Sequence, residues 1–254
     1  MQLHAFVLHL ARAEKRRANA HEVLNNCGVE GEIWDAVDGA KLSEAEITEA
    51  YRPNQFEPSY PFGLKTGEVG CFLSHRSIWQ AIVDRDLDAG VVFEDDASLD
   101  PDVFGKALAL AQKYSDHFGY IQFQTRPIKG HEDVLETDGD LCLSVPRVSP
   151  VRATAQLITH AAAKRLVKKA QVFDRPIDTY VQSHWFTGQP VAVIYPSGVA
   201  AISERLDGST IQGGKYSVPE RLKREVSRTV YRRKIERYSR DSKTLSSAAT
   251  ETRK

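Results

Sequence analysis

An α/β fold, with a mostly parallel sheet and helices on both faces, is what three features of the 254-residue chain predict. Short β-branched and aromatic runs such as "LHAFVLHL" and "AGVVFEDD" read as buried strands. Amphipathic stretches separate them along most of the chain, and strands alternating with helices build βαβ units. The length and the ordinary composition, 41% hydrophobic and 27% charged, allow a sizeable core.

Taken in order, "LHAFVLHL" is the opening strand and "RAEKRRANAHEVLNNCG" a helix closed by Gly28. "GEIWDAV" is a second strand that ends at the turn Asp38-Gly39. Ser43 starts a short helix with Glu44 and Glu46 in its first turn, where carboxylates suit the helix dipole. "YRPNQFEPSYPFGLKTG" holds three prolines and several aromatics without a period, the signature of a long ordered loop or lid. Gly67 to Asp84 is apolar over much of its circumference and reads as a central helix. A strand "AGVVFEDD", a helix from Pro101 to Tyr114 and a strand "GYIQFQ" come next; "ATAQLIT", "HAAAKRLVKKA" and "VAVIYP" continue the alternation. The expected division is a catalytic-type domain over 1–213 and a charged helical tail over 214–254, with "SRDSKTLSSAATETRK" disordered.

Charge balances at 34 basic against 34 acidic residues, so nothing global points to nucleic acid. From Lys215 onward, however, there are 13 Lys/Arg against 5 Asp/Glu, a basic tail on an acidic body. Cys27, Cys71 and Cys142 are odd in number and share no metal-type spacing, which fits reduced thiols in a cytoplasmic protein. The N-terminal apolar stretch lacks preceding basic residues and a cleavage site, and reads as a strand rather than a signal peptide. No apolar run approaches the roughly 18–20 residues that cross a bilayer.

The strand "VVFEDD" ends in three carboxylates, at the edge of an α/β sheet where ligands bind. Alternation puts Glu94 and Asp96 on one face and Asp95 on the other. Paired carboxylates repel unless a cation joins them, and hard oxygen donors suit Mg²⁺ or Mn²⁺ with a diphosphate. The triplet has three readings: a holder for a metal–diphosphate complex, solvated acids capping the next helix, or a phosphoryl-transfer pocket. The last lacks a Gly-x-x-x-x-Gly-Lys-Ser/Thr loop.

The segments "LHLARAEKRR", "AVDG", "GLKTGEVGCFLSHRSIW", "VVFEDDA" and "RPID" together resemble glycosyltransferase family 25, the lipooligosaccharide galactosyltransferase-like group that includes collagen galactosyltransferases. The Gly-Cys-x-x-Ser-His block followed by a hydrophobic-Glu-Asp-Asp strand is its most specific part. The resemblance implies a GT-A-like (Rossmann-type) fold, a UDP-sugar donor and a variant Asp-x-Asp metal motif with Glu94 and Asp96 in its outer positions. Asp96 is then the first metal ligand, Glu94 contacts the ribose or a metal-bound water, and Asp95 can replace either. Mn²⁺ is the expected cofactor, with Mg²⁺ as the alternative.

Other site residues carry two readings each. Arg12, after the first strand, stands where a nucleotide's polar edges approach; Arg16 and Arg17 read as a solvated face. Asp38 is a base or ribose contact, or Asp-Gly turn chemistry. His75 has apolar helical neighbours and reads from the residues alone as a core histidine; the family block moves it toward the donor site. Glu68 serves the donor or the helix dipole. Asp178 is the candidate general base for inverting transfer, or a cap of the helix "TYVQSHW". His184 is a candidate late metal ligand. The chain departs from the family at "VRATAQLIT", with Gln156 in an aromatic position, and at "GYIQFQTRP", where donor sugar and acceptor are read.

In the tail, Val218, Leu222, Val226, Val230, Ile235 and Tyr238 recur at helical spacing among arginines and lysines. Such a helix lies on an anionic membrane, packs on the acidic body, or pairs with a second subunit. The expected function is an inverting, metal-dependent transfer of galactose from UDP-galactose to a lipid-linked or other surface glycan, at the cytoplasmic face of the membrane. A non-catalytic nucleotide- or carbohydrate-binding protein on the same fold is the alternative.

Overall fold

The structure, a computed structural model, describes residues 1–206 and 217–242. Strand β1 (Leu3–His9) divides its side chains between two cores, Ala5 and Val7 into one and Phe6 and Leu8 into the other. Period-two alternation in a strand buried on both faces produces that split. Parallel partners flank it, β2 (Gly31–Asp35) on one side and β3 (Ala89–Glu94) on the other. Helix α1 (Glu14–Asn26) links β1 to β2 and buries Arg16, Ala20 and Val23 along one stripe. Helix α2 (Glu44–Ala50) starts at a capping box of Ser43 and Glu46. Helix α3 (Thr66–Asp84) lays Val69, Phe72, Ile78, Trp79 and Ile82 into the second core.

β4 (Ala97–Leu99) leads into α4 (Pro101–Phe118), which Asp100 caps by accepting the N–H groups of Asp102 and Val103 and which Gly119 closes at φ 67°. Next along the chain are β5 (Tyr120–Phe123), β6 (Glu132–Asp138), β7 (Leu141–Pro146), β8 (Ala155–Thr159) and α5 (His160–Lys169). The rest comprises α6 (Ile177–Gln182), α7 (His184–Thr187), β9 (Ala192–Tyr195), β10 (Val199–Ala201) and α8 (Val218–Asp241).

The α/β class and the helices on both faces are as expected, and the sheet itself is mixed. Its order is β2-β1-β3-β8-β5-β9-β7-β6, with β10 and β4 paired separately. β1 with β2, β1 with β3, and β5 with β9 are parallel; β8 runs antiparallel between β3 and β5, and β7 antiparallel between β9 and β6. The physical reason is the β6–β7 hairpin, turned at Gly139 with φ 58°. It has no crossover helix, so strand–helix alternation no longer fixes the direction of the later strands.

The long loop after α2 is ordered by a buried ion pair that nothing in its own residues announces. Arg175, fully buried, donates Nε to Asp174 Oδ1 at 2.6 Å and Nη2 to the carbonyls of Phe56 at 2.7 Å and Pro58 at 3.2 Å. Asp174 Oδ2 accepts the N–H groups of Gln55 and Phe56 at 2.9 and 3.0 Å. Arg175 Nη1 reaches the Tyr231 hydroxyl on α8 at 3.1 Å. One guanidinium thus fastens the loop, the entry to α6 and the C-terminal helix.

Helix α8 packs on the body through Tyr231, Ile235 and Ser239, spaced by four, with Tyr238 half-buried. Leu222, Val226 and Val230 of the expected stripe instead face outward, 68%, 57% and 47% exposed. Ser239 to Asp241, expected to be disordered, are helical because Ser239 is buried against the body. The expected boundary at 213/214 and the segment from 243 lie outside the described residues. Among the described residues no helix is long and apolar enough to cross a membrane, and all three cysteines are free.

Arg175→Ala leaves the Asp174 carboxylate buried without its cation, and we expect a loss of about 3–5 kcal/mol in urea unfolding. A loss below about 1 kcal/mol would show that this pair does not hold the loop and α8 in place.

Candidate active site

The acidic edge of β3 is organised from inside by α1. Arg16 is 5% exposed, not part of a solvated face, and its Nη1 donates to Asp95 Oδ1 at 2.8 Å and to Asp96 Oδ2 at 3.2 Å. The other Asp95 oxygen lies 2.9 Å from His9 Nδ1 on β1. Asn19 Nδ2 donates to the carbonyls of Asp95 and Ala97, both at 2.8 Å, and so fixes the backbone of the turn. Asp95 is therefore an anchor whose two oxygens are engaged by Arg16 and His9 where it borders the pocket. Glu94 and Asp96 remain on the pocket side, half-buried.

Helix α3 forms the opposite wall. Gly39 and Gly70 let it approach the 36–39 turn, since a Cβ on Gly70 would lie 2.7 Å from the Val37 carbonyl oxygen and from the Gly39 nitrogen. The Ser74 hydroxyl accepts the Val37 N–H at 2.8 Å and donates to the Gly70 carbonyl at 2.7 Å. That contact brings Cys71 and His75, one turn apart, against Glu94. One ligand atom from each of the three falls within 4.8 Å of the others. His75 is fully buried; its Nδ1 lies 3.4 Å from Gln156 Nε2, and its Nε2 stands 3.9 Å from Glu94 Oε1 with no hydrogen-bond partner. A satisfied core histidine does not leave that nitrogen open.

Asp178 joins from the first turn of α6. Pro176 holds the cap position, so Asp178 is not the helix cap; its Oδ1 accepts the Thr179 N–H at 2.6 Å and the Thr179 hydroxyl at 3.2 Å. Burial pushes the Asp178 carboxyl up, and Glu94 and Glu68 add to the rise against the Thr179 hydrogen bonds. Burial also raises the Cys71 thiol, with the Glu94, Asp178, Glu68 and Asp96 carboxylates all contributing. Four acids from three elements are therefore near enough to act on one thiol. Asp96 is lifted to about 6 by burial and then by Glu94, with Arg16 opposing. Glu68 also caps α3 through the Lys65 N–H at 2.8 Å.

Arg12 and Asp38 meet at the rim, Nε to Oδ1 at 3.2 Å, with Arg12 half exposed. His184 does not join the group. Its Nδ1 and Nε2 lie 3.0 and 2.9 Å from the hydroxyls of Ser242 and Ser239, and burial lowers it to about 4. It seats α8, which corrects its reading as a metal ligand. Sequence reasoning missed Arg16, His9, Asn19 and Cys71 as site builders. For Arg16 the signal was present, because it lies four and seven residues before the apolar Ala20 and Val23 on the buried stripe of α1.

The residues fit a divalent cation: an unpartnered buried imidazole nitrogen faces a carboxylate, and two further acids lie beside it. In metal-free protein the raised Asp96 carboxyl destabilises the fold once ionised. The folded state holds that proton more tightly than the unfolded one, so stability falls as pH rises from about 4 to about 6. Asp96→Asn is expected to raise the unfolding free energy at pH 7.5 by about 1–3 kcal/mol, with the gain vanishing near pH 4. Thermal melts across that range check it, and a destabilised variant at pH 7.5 would contradict it.

A model of the family described as "Glycosyltransferase family 25 (LPS biosynthesis protein)" matches residues 2–181. "Inactive glycosyltransferase 25 family member 3" of Mus musculus is 42% identical over 94 residues, 36% of this chain and 16% of that protein. "Procollagen galactosyltransferase 2" of Mus musculus is 32% identical over 111 residues, 42% of this chain and 18% of that protein. A "Glycosyltransferase 25 family member" of Drosophila melanogaster is 33% identical over 99 residues, 38% and 16% of the two chains. The chain thus spans less than a fifth of the length of these relatives. A solved glycosyltransferase involved in glycosylation of the major capsid of PBCV-1 superposes over 72% of this chain and 67% of that one, at 12% identity and a TM-score of 0.34, too low to bear on function. With its motif segments in order and the family's model matching from the first strand into α6, the chain belongs to glycosyltransferase family 25.

Proposed function

We propose that this protein is an inverting glycosyltransferase that moves a sugar, galactose in our reading, from a UDP-sugar to a surface-glycan acceptor. The observation that carries it is the gathering of Glu94 and Asp96 on one pocket with the open imidazole nitrogen of His75, near enough to Asp178 for Glu94 to raise its carboxyl. Glu94 and Asp96 are the residues that would hold Mn²⁺ or Mg²⁺, ions that take oxygen donors; His75, its Nε2 open, stands behind them. Such a cation supplies the positive charge that neutralises a departing diphosphate.

The chain's own groups do the rest. Asp178, with its raised affinity for a proton, suits a base that takes the proton of an acceptor hydroxyl near neutral pH. Arg12 and Asp38 offer a cation and an acceptor at the rim for the nucleotide's polar edges. The pocket between them is about 170 Å³, below the ~300 Å³ of small-molecule sites, so a nucleotide sugar fills it with one end and continues outward past Arg12. The outward Leu222, Val226 and Val230 of α8, among arginines, suit an anionic membrane at the cytoplasmic face and thereby a lipid-linked acceptor.

A second reading, nucleotide binding without catalysis, is favoured by the mouse and human relatives whose names call them inactive. Calorimetric titration separates the two. UDP and UDP-galactose should bind wild type with Mn²⁺, lose about tenfold or more with chelator, and fail to bind Asp96→Ala. Asp178→Asn should keep UDP binding yet lose about 10²–10⁴-fold in transfer rate. No uridine nucleotide bound under any condition sinks the donor reading; binding without turnover on any acceptor leaves the non-catalytic one.

A further inference from the structure

A second cavity, about 870 Å³, opens between residues 124–131, residues 147–152 and one side of α8. That is within the ~300–1,000 Å³ typical of ligand pockets. It begins beside the acids just described, since Thr179 and Gln182 of α6 lie on its wall next to Asp178. Arg152 stands at the junction: burial lowers its affinity for a proton, as does Arg126 on the cavity side, while Glu94 and Asp178 oppose them from the acidic side.

The lining is cationic out of proportion to the chain. Arg126, Lys129, Arg147, Arg152, Arg232 and Arg240 all face it, and none makes an ion pair among the described residues. Among the described residues, Glu236 is the only Asp or Glu on the wall. Four of these cations come from the body, whose sequence is acidic overall, so composition does not account for their gathering. Like charges gathered in a concave site focus a field that attracts an anion.

The wall is also built to take sugar rings. Tyr60 lies edge-on to Phe62 at 5.6 Å and to Tyr231 at 5.4 Å, an aromatic corner where the cavity meets the base. Burial, then the nearby Glu68 and Asp178, push the Tyr60 hydroxyl up, so this corner lies within electrostatic reach of the acids. Ser149, 1% exposed, presents a hydroxyl with no partner, beside the Gln182 amide that holds its own carbonyl. Ring faces and open hydroxyls together match the apolar and polar sides of a pyranose.

We propose that this cavity is the acceptor site and that it takes an acidic oligosaccharide, one bearing carboxylate or phosphate groups. The acceptor role rests on the glycosyltransferase reading above; the anionic preference rests on the cavity alone. A flat lipid surface is the less apt occupant. At 100° per residue, Arg228 and Arg232 project from the side of α8 opposite Val226 and Val230, into the hollow, while Arg233 and Arg237 share the outward side with the valines.

The test uses the full chain with tetragalacturonate, a sulfated heparin tetrasaccharide, neutral maltotetraose, and phosphatidylglycerol vesicles. We expect both acidic tetrasaccharides to bind at least about tenfold more tightly than maltotetraose, with the preference shrinking as salt rises. Arg126→Glu combined with Arg147→Glu, both exposed positions, should abolish that preference without changing UDP binding or the melting temperature. Equal binding of neutral and acidic glycans, no binding of either, or an unchanged preference in the double variant overturns the proposal. Reversal that weakens vesicle binding but not glycan binding assigns the cations to a membrane instead. Acidic-glycan binding with no UDP binding would leave the cavity standing and remove the donor reading.

Discussion

The buried Arg16 guanidinium is the cation on which the acidic edge of the sheet depends. Three consecutive carboxylates at the end of an interior strand repel one another in a low dielectric. Arg16, with His9 behind it, takes Asp95 inward as a fixed counter-charge and reaches across to Asp96. The turn is thereby held in one geometry, and Glu94 and Asp96 are left to project together. Removing the arginine would not only unpair a charge; it would release the turn that Asn19 and α1 otherwise clamp.

Around this anchor the molecule is divided into two opposite electrostatic compartments. Glu68, Glu94, Asp96 and Asp178 make one strongly negative, and the arginines of the 147–152 segment and α8 make its neighbour positive. Arg152 lies between them and feels both. The buried glutamines Gln122, Gln124 and Gln156 run beneath the boundary; Gln124 donates to Gln122 at 2.8 Å, and Gln122 donates to the Arg152 carbonyl at 3.1 Å. Gln156 is what places an amide beside His75.

Most of the fold was legible wherever local chemistry and burial agree. The apolar runs gave β1 and β3, the Ser43 and Asp100 caps mark real helix starts, and α3 follows its continuous apolar surface. The hairpin of β6 and β7 was not seen, because "EDVLETD" is polar and lies at the sheet edge with little burial to impose a period. The candidate site was legible in its acids and less so in their neighbours. Arg12, His75, Glu94 and Asp96 line one pocket, Asp38 is bonded to Arg12 at its rim, and Glu94 and Glu68 both act on the Asp178 carboxyl. His184 was misjudged because its partners, the α8 serines, are far away in sequence.

The knot at Arg175 has a consequence for how such a chain can diverge. The segment that the family shares ends at residue 181, yet the guanidinium ties Tyr231 on α8 to the loop at Phe56 and Pro58. Sequence inside and outside the matched segment is thus welded into a single body. Substitutions along the inner side of α8 can redraw the chemistry of the hollow it walls without disturbing β3 and its acids. The hollow and the acidic edge can thus be altered separately although one guanidinium holds them in the same body.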